Sequence, residues 1–235
     1  MDSLRVALLN ASDKDEATRE NFGRDVDADV RSFAANEGEL PDGYAYDAVI
    51  VSGSRASVYW NEPWIESLID WVTGALDDGV PVLGVCFGHQ LVVHALGGEV
   101  RDMGECEIGY REIERVGDSD LLAGLLDRFV AFETHSDEIA TVPDGATVIA
   151  ENEYAVQAFR ADRAFGVQFH PEYDRDMADR VTRSKDLSDE RIGCVLDGIT
   201  DENVAAAADA KSLFDNFLAY AASLPSRLRE TEPAE

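Results

Sequence analysis

Short apolar runs alternate with amphipathic segments along the first hundred residues. The runs LRVALLN (4–10), DAVIVSGS (47–54) and VPVLGV (80–85) are almost continuously apolar, which is typical of strands buried on both faces of a parallel sheet. PWIESLIDWVTGAL (63–76) begins with proline and has apolar residues at helical spacing, and GHQLVVHALGG (88–98) ends at a glycine pair; both are predicted helices. The alternation predicts an α/β fold with an open, mostly parallel sheet flanked by helices.

The remaining segments have weaker patterns. Residues 13–43 are acidic with scattered apolar positions and are predicted to form a helix followed by a loop. Helices on either side of a polar insertion near 182–200 are predicted to close the chain. Short strand-like segments between these regions predict an additional small antiparallel or mixed sheet, whose last strand returns to the core. These segments are EIGYREIE, RFVAFETH, ATVIAENE, YAVQAFR and AFGVQFH.

The charge of the chain is strongly unbalanced. It has 48 Asp and Glu residues against 20 Lys and Arg, a formal net charge of −28. A field of this sign repels phosphate backbones and anionic lipids, so neither nucleic acids nor membrane surfaces are expected as partners. The even spread of acids predicts a surface adapted to molar salt, where the Debye length falls to about 3 Å and self-repulsion is screened. The alternative is an ordinary acidic protein of the cytosol.

The hydropathy and the cysteines favour a soluble cytoplasmic protein. No run of 18 apolar residues predicts a membrane span, and the first twenty residues lack the basic region of a signal peptide. The three cysteines, Cys86, Cys106 and Cys194, are odd in number and lack CxxC spacing. Neither a disulfide framework nor a zinc site is therefore predicted, and Cys106 and Cys194 are interpreted as packing residues.

Cys86 lies between two glycines, in GVCFG, where a predicted strand meets a predicted helix. This is the pattern of a nucleophile elbow in which a thiol replaces the serine hydroxyl. The glycines permit a tight turn, and the N-terminus of the helix favours a thiolate. The backbone N–H of Phe87 can point at a developing oxyanion. The alternative is a buried cysteine at the end of a core strand, which the flanking glycines disfavour.

A thiol nucleophile needs a base, and the chain has four histidines. His89 lies one turn into the elbow helix, and His94, further along it, is predicted to pack. The two candidates are therefore His135, in ETHSDE, and His170, in VQFHPE.

His170 is favoured because it ends an apolar run at the edge of a predicted core strand. Pro171 imposes an extended backbone on it, so Glu172 is predicted to share its face and to orient the imidazole. Cys86, His170 and Glu172 would then form a triad. The alternatives for this stretch are an acidic loop and a metal site that also uses Asp174, which is disfavoured.

The two motifs together resemble those of the class I glutamine amidotransferases of the triad type. GVCFGHQ matches the nucleophile motif of that family and GVQFHPE its His-x-Glu motif. The chain is similar in particular to stand-alone relatives of the GMP synthetase glutaminase domain. The resemblance implies a flavodoxin-like fold and one glutaminase domain over residues 1–225, followed by a disordered acidic tail, 226–235.

The resemblance also implies a chemistry. Cys86 would attack the side-chain amide of glutamine to form a γ-glutamyl thioester and release ammonia, while His170 moves the protons and Glu172 orients it. Water would then hydrolyse the thioester. The oxyanion hole would use the backbone amides of Gly53 and Phe87. No metal and no organic cofactor is expected, because acyl transfer through a thiolate needs neither.

Further substrate contacts are implied by the same resemblance. Gln90 would contact glutamine from the elbow helix, and a loop would hold the α-amino and carboxylate groups. An Asx-type turn between strands is the alternative for that loop. Ser54 and Arg55 follow Gly53 where many members have Gly-Gly-Pro, which argues against the glutaminase half of a named synthetase. The loop is identified with Thr134, His135, Ser136 and Asp137.

Two functions share this chemistry. The first is a glutamine amidotransferase that makes ammonia for a partner synthase on another polypeptide. The second is a stand-alone hydrolase of γ-glutamyl peptides or γ-glutamyl amines. A non-catalytic regulatory or binding module of the same fold is disfavoured, because Cys86 and His170 are both present.

The charge analysis predicts a protein that needs salt. We expect the melting temperature to rise with KCl concentration and to fall sharply in dilute buffer, because salt screens the repulsion between surface carboxylates. Thermal unfolding followed by circular dichroism across a KCl series measures this. A melting temperature that is independent of KCl would contradict the salt-adapted interpretation.

Overall fold

A single mixed sheet of nine strands forms the centre of the molecule. The computed structural model describes residues 3–13 and 15–225, so the predicted tail, 226–235, lies outside the described residues. The strands are β1 (Arg5–Asn10), β2 (Asp29–Ala34), β3 (Ala48–Val51), β4 (Val82–Val85), β5 (Glu99–Arg115), β6 (Arg128–Thr141), β7 (Thr147–Glu151), β8 (Val156–Ala161) and β9 (Ala164–Val167).

The α-helices of the described residues pack around this sheet. Within residues 3–13 and 15–225, no helix has both the length and the apolar character needed to cross a membrane. The helices are α1 (Asp15–Asp25), α2 (Pro63–Asp77), α3 (Phe87–Ala95), α4 (Arg175–Arg183), α5 (Asp189–Asp197), α6 (Asp201–Ala207) and α7 (Ser212–Ser223).

The order of the strands confirms the predicted α/β architecture. It is β2-β1-β3-β4-β9-β8-β7-β5-β6. The first five strands in this order are parallel, and the others pair antiparallel. The predicted antiparallel strands thus extend the same sheet, since a two-residue turn at Asp162–Arg163 pairs β8 with β9. As predicted, the last strand returns to the core, where it lies beside β4.

Two elements were not predicted. β2 lies within residues 13–43, where a helix and a loop were expected; only the helix, α1, was predicted correctly. β2 is an edge strand with every residue at least partly exposed, so it needs no continuous apolar run. The predicted insertion near 182–200 contains α5, whose N-terminus is capped by the Ser188 side chain accepting a hydrogen bond from the N–H of Arg191.

The alternating side chains of the parallel strands build a core on each face of the sheet. On β1, Val6 and Leu8 face the layer that contains α1 and α7. Ala7 and Leu9 face the layer that contains α2 and α3. All four side chains are at most 1% exposed, which explains why the central strands are apolar without interruption.

Two glycines let α3 pack directly against the strands. A Cβ on Gly84, in β4, would overlap the backbone of Gly88, and a Cβ on Gly88 would overlap the carbonyl of Val51 in β3. Backbone therefore meets backbone where β4 turns into α3. The glycines that flank Cys86 are required by this close packing, and neither of them has a positive φ.

Gly84→Ala is expected to destabilise the fold by about 3 kcal/mol or more, because the new methyl group would meet main chain that cannot move aside. The matched control is Gly23→Ala in α1, where a Cβ has open space around it. That change is expected to stabilise the protein by about 0.5–1 kcal/mol. Chemical denaturation at fixed KCl measures both changes, and equal effects of the two would contradict the packing argument.

Candidate active site

The carboxyl ends of four parallel strands, β1, β3, β4 and β9, meet at one edge of the sheet, where open α/β sheets bind their ligands. A small cleft opens there, with α4 forming one wall. The residues that line it include Gly53, Cys86, Thr134, His170 and Glu172. The structure thus brings together the three side chains of the predicted triad.

Cys86 occupies a strained turn between β4 and α3. Its backbone has φ 54° and ψ −105°, a region that residues with a side chain rarely adopt. The Cys86 N–H donates to the carbonyl of Val167 at the end of β9, 2.8 Å away. This bond fixes Cys86 at the N-terminus of α3, as the elbow pattern predicted.

His170 and Glu172 form a buried pair. The His170 Nδ1 lies 2.8 Å from the Glu172 Oε1, and each side chain is 4% exposed. The predicted sharing of one strand face does not describe the pair, because β9 ends at Val167 and the chain turns after His170. The backbone of His170 is held separately, since its N–H donates to the carbonyl of Phe132 in β6 at 2.9 Å.

The charges around His170 favour its protonated form. Burial lowers the pKa of its imidazole, but the negative charges of Glu172 and Cys86 and hydrogen bonds to both outweigh burial and raise that pKa to about 10. The raised pKa stabilises the folded state fully below the unfolded pKa of about 6.5, and this contribution is lost as the pH rises through about 10. At neutral pH the imidazole of His170 is therefore protonated beside Cys86 and Glu172.

Gly53 lies directly beside Cys86 and His170. A Cβ at this position would be 2.9 Å from the His170 Cε1 and 3.5 Å from the Cys86 Cβ, so any side chain here would push the imidazole aside. Phe87 is the first residue of α3, and a first-turn N–H has no carbonyl partner within its helix. Both residues proposed for the oxyanion hole thus adjoin Cys86.

The predicted substrate loop is a strand. Thr134, His135, Ser136 and Asp137 lie within β6 and not in a loop, because the long β5–β6 hairpin continues through them. Thr134 lines the cleft, whereas the other three residues do not. Ser136 is exposed, and Asp137 accepts a hydrogen bond from the Tyr59 hydroxyl at 2.8 Å.

Gln90 is engaged by the protein itself. Its Nε2 donates to the backbone carbonyl of Asp137 at 3.2 Å and to the side-chain oxygen of Gln168 at 3.0 Å. Gln90 is 3% exposed and does not line the cleft. Its amide therefore ties α3 to β6 and to the segment after β9.

His135 belongs to a buried polar cluster beneath the cleft. Its Nδ1 lies 2.9 Å from the carbonyl of Asp137, and its Nε2 lies 2.8 Å from the Glu107 carboxylate. Asn152 donates to the same carboxylate at 2.6 Å. These bonds occupy both nitrogens of His135 and hold β6 against β5, so His135 is placed to support the strand and not to contact substrate.

Glu133 completes this cluster. It is fully buried, and its desolvation, followed by the nearby charge of Glu107, raises its pKa well above the usual range. Glu107, Glu133 and His135 are the one group among the described residues whose ligand atoms converge closely enough to hold a metal ion, within 4.8 Å. Asp174, considered with His170 and Glu172 as a metal ligand, instead accepts a hydrogen bond from the N–H of Met177 and caps α4.

The two histidines of α3, His89 and His94, do not line the cleft that holds Cys86 and His170. Burial lowers the pKa of His89 to about 3, so its ring stays neutral, and it packs 5.2 Å from the ring of Phe159. His94 is exposed in the last turn of α3. The predicted packing role of His94 is therefore wrong.

Arg24 is a site residue that the sequence did not indicate. Its guanidinium donates to the backbone carbonyl of Glu172 at 2.7 Å and to the Asp174 carboxylate at 2.8 Å. Asp25 holds it by two bonds, of 2.9 and 2.7 Å, and Lys211 in turn binds Asp25. This chain of charges ties α1 and the residue before α7 to the backbone of Glu172.

Most of this chain matches the sequence profile of a known protein family. The sequence profile of the family "Glutamine amidotransferase class-I" matches residues 17–185. A GMP synthase [glutamine-hydrolyzing] from Thermomicrobium roseum is 44% identical over 125 residues, which cover 53% of this chain and 23% of that protein. The chain thus matches only about a quarter of that longer relative.

Two further proteins match over most of their own length. One, from Sulfolobus acidocaldarius, is named as a subunit of a glutamine-hydrolyzing GMP synthase and is 38% identical over 130 residues, 54% of this chain and 68% of that protein. The crystal structure of a glutamine amidotransferase from Thermotoga maritima superposes with a TM-score of 0.78 at 23% identity, covering 93% of this chain and 99% of that one. The latter likeness supports the fold.

Glu172→Gln is expected to lower the pKa of His170 from about 10, because the neutral amide no longer stabilises the imidazolium. The protonated form would then be lost at a lower pH. Titration of the His170 ring by ¹⁵N NMR measures this. Glu138→Gln, an exchange on β6 of a residue bonded to Arg101, serves as the control and should leave the titration unchanged. An unchanged titration in Glu172→Gln would contradict the pairing.

Proposed function

Because this chain belongs to the class-I glutamine amidotransferase family, we propose that it hydrolyses the side-chain amide of glutamine and releases ammonia. One observation carries the proposal. A cysteine in a strained turn at the N-terminus of a helix shares a cleft with a buried histidine–glutamate pair. This arrangement supports Cys86 as the nucleophile, His170 as the proton carrier and Glu172 as the residue that orients it.

In the first half of the reaction, the Cys86 thiolate attacks the side-chain carbonyl carbon of glutamine. A C–S bond forms, and the carbonyl oxygen becomes an oxyanion that the N–H groups of Phe87 and Gly53 stabilise. The intermediate collapses with cleavage of the C–N bond. His170 gives its proton to the leaving nitrogen, which departs as ammonia and leaves a γ-glutamyl thioester.

In the second half, water attacks the thioester carbon and passes a proton to His170. The C–S bond breaks, glutamate is released, and the imidazolium–thiolate pair is restored. The role of Glu172 in both halves is to hold Nδ1 of His170 and to stabilise the imidazolium. Thr134, which lines the cleft, is placed to contact the bound substrate.

The ammonia goes, in this proposal, to a synthase on another polypeptide. The similarity to a protein that is named as one subunit of a GMP synthase supports this assignment. A stand-alone γ-glutamyl hydrolase is the competing function, because it would use the same thioester. We further propose that the protein works in the cytoplasm at high salt, on the basis of its net charge of −28.

Cys86→Ala is expected to lower ammonia release from glutamine by at least about 10³-fold, since no other group can form the thioester. Ammonia release in concentrated KCl, measured by a coupled assay, tests this change. Cys194→Ala removes an exposed thiol and is the matched control, which should keep the wild-type rate. A Cys86→Ala variant that folds and turns over at more than a small residual rate would refute the nucleophile assignment.

γ-Glutamyl peptides in the same assay separate the two functions. Turnover of glutamine in preference to the peptides supports the amidotransferase. Turnover of a γ-glutamyl peptide in preference to glutamine would refute it in favour of the stand-alone hydrolase. If neither is hydrolysed, alkylation of Cys86 by a glutamine-analogue electrophile would support a site that waits for its synthase, and absence of alkylation would refute the proposal.

A further inference from the structure

The ring of Tyr173 covers one face of the His170 imidazole. Their centroids are 4.0 Å apart and the planes meet at 18°, which is a stacked arrangement. The two residues belong to one turn, in which the N–H of Tyr173 lies 3.4 Å from the carbonyl of His170. Tyr173 and His170 both line the cleft.

Other contacts fix the Tyr173 ring in this place. It packs against the ring of Phe132 in β6, with centroids 5.9 Å apart at 41°. The next residue, Asp174, caps α4 and is bound by Arg24. The ring is therefore held by packing against Phe132, and the backbone next to it is held by the cap of α4.

The imidazole is consequently bounded on three sides. The Cε1 edge lies beside Gly53, where no side chain would fit, Glu172 holds Nδ1, and Tyr173 covers a face. Rotation of the imidazole out of this position would break its bond to Glu172 or its stacking on Tyr173.

From this geometry we propose that Tyr173 is a positioning residue for His170: its ring keeps the imidazole aligned with Cys86 and stabilises the imidazolium by a cation–π contact. The inference rests on the proposed function, because the imidazolium is the proton donor to the leaving ammonia. A ring face within about 6 Å of a cation is attractive, and more so where water is excluded.

The ring must itself remain uncharged to act in this way. Burial, and then the negative charges of Glu172 and Cys86, raise the pKa of the Tyr173 phenol well above its usual range, so it stays neutral. The groups whose charges act on His170 are Glu172, two residues along the chain, and Cys86 at the elbow. From β6, Glu133 also interacts with His170.

Two variants test the proposal. Tyr173→Phe keeps the ring and removes only the hydroxyl, whereas Tyr173→Leu removes the ring. Tyr220→Leu in α7, which removes an aromatic contact with Phe165 of β9, is the matched control for a general loss of packing. Each protein is examined by ¹⁵N NMR titration of His170, by the pH dependence of Cys86 alkylation with iodoacetamide, and by kcat and KM for glutamine.

In Tyr173→Leu we expect His170 to lose its proton about one pH unit lower and kcat to fall about tenfold, with a smaller change in KM. Tyr173→Phe and Tyr220→Leu should stay within about twofold of wild type. An unchanged titration in Tyr173→Leu would overturn the proposal, as would a Tyr173→Phe variant as impaired as Tyr173→Leu. If Tyr173→Leu does not fold, Tyr173→Met, which also lacks the ring, replaces it under the same criteria.

The titration and the alkylation need no substrate. They distinguish failure of this proposal from failure of the proposed function. Wild-type protein that does not hydrolyse glutamine would count against the function, while a His170 titration that shifts only in the ring-deleted variant would still support the role of Tyr173.

Discussion

The turn at Cys86 is the constraint on which the rest of the site depends. A residue with a side chain is held at φ 54° because β4 and α3 approach so closely that only glycine fits at Gly84 and Gly88. The turn places the sulfur at the N-terminus of α3, just after β4. β4 pairs with β9, and the chain that follows β9 carries His170. The core therefore stabilises a backbone conformation that is unfavourable by itself.

Short-range contacts dominate the electrostatics of the site. The chain has a net charge of −28, yet Cys86, a protonated His170 and Glu172 share one buried pocket. Pairing between close, buried charges is screened little by salt, whereas repulsion across the surface is screened strongly. The interactions among the site residues therefore depend little on the acidic surface. Arg24, which is partly exposed, links the Glu172 backbone to α1.

The antiparallel half of the sheet builds the other side of the cleft. β6 supplies Thr134 to the cleft and the carbonyl of Phe132 to the His170 N–H. The buried bonds between Glu107 and His135 hold β6 in place. The parallel α/β core thus presents Cys86, and the attached hairpin fixes His170, so the geometry of the site depends on the pairing of β5 with β6.

Local patterns in the chain predicted the alternating architecture, the elbow at Cys86 and its pairing with His170 and Glu172, because strand burial and tight turns leave such patterns in a sequence. The structure was needed to show that the strand predicted at RFVAFETH continues through Ser136 and Asp137, and that Arg24 and Tyr173 adjoin the triad. The contact of Arg24 with Glu172 joins residues far apart in the sequence, and stacking on His170 depends on how one turn is folded. Neither leaves a periodic or compositional signal, since each arises only when the sheet brings separate segments together.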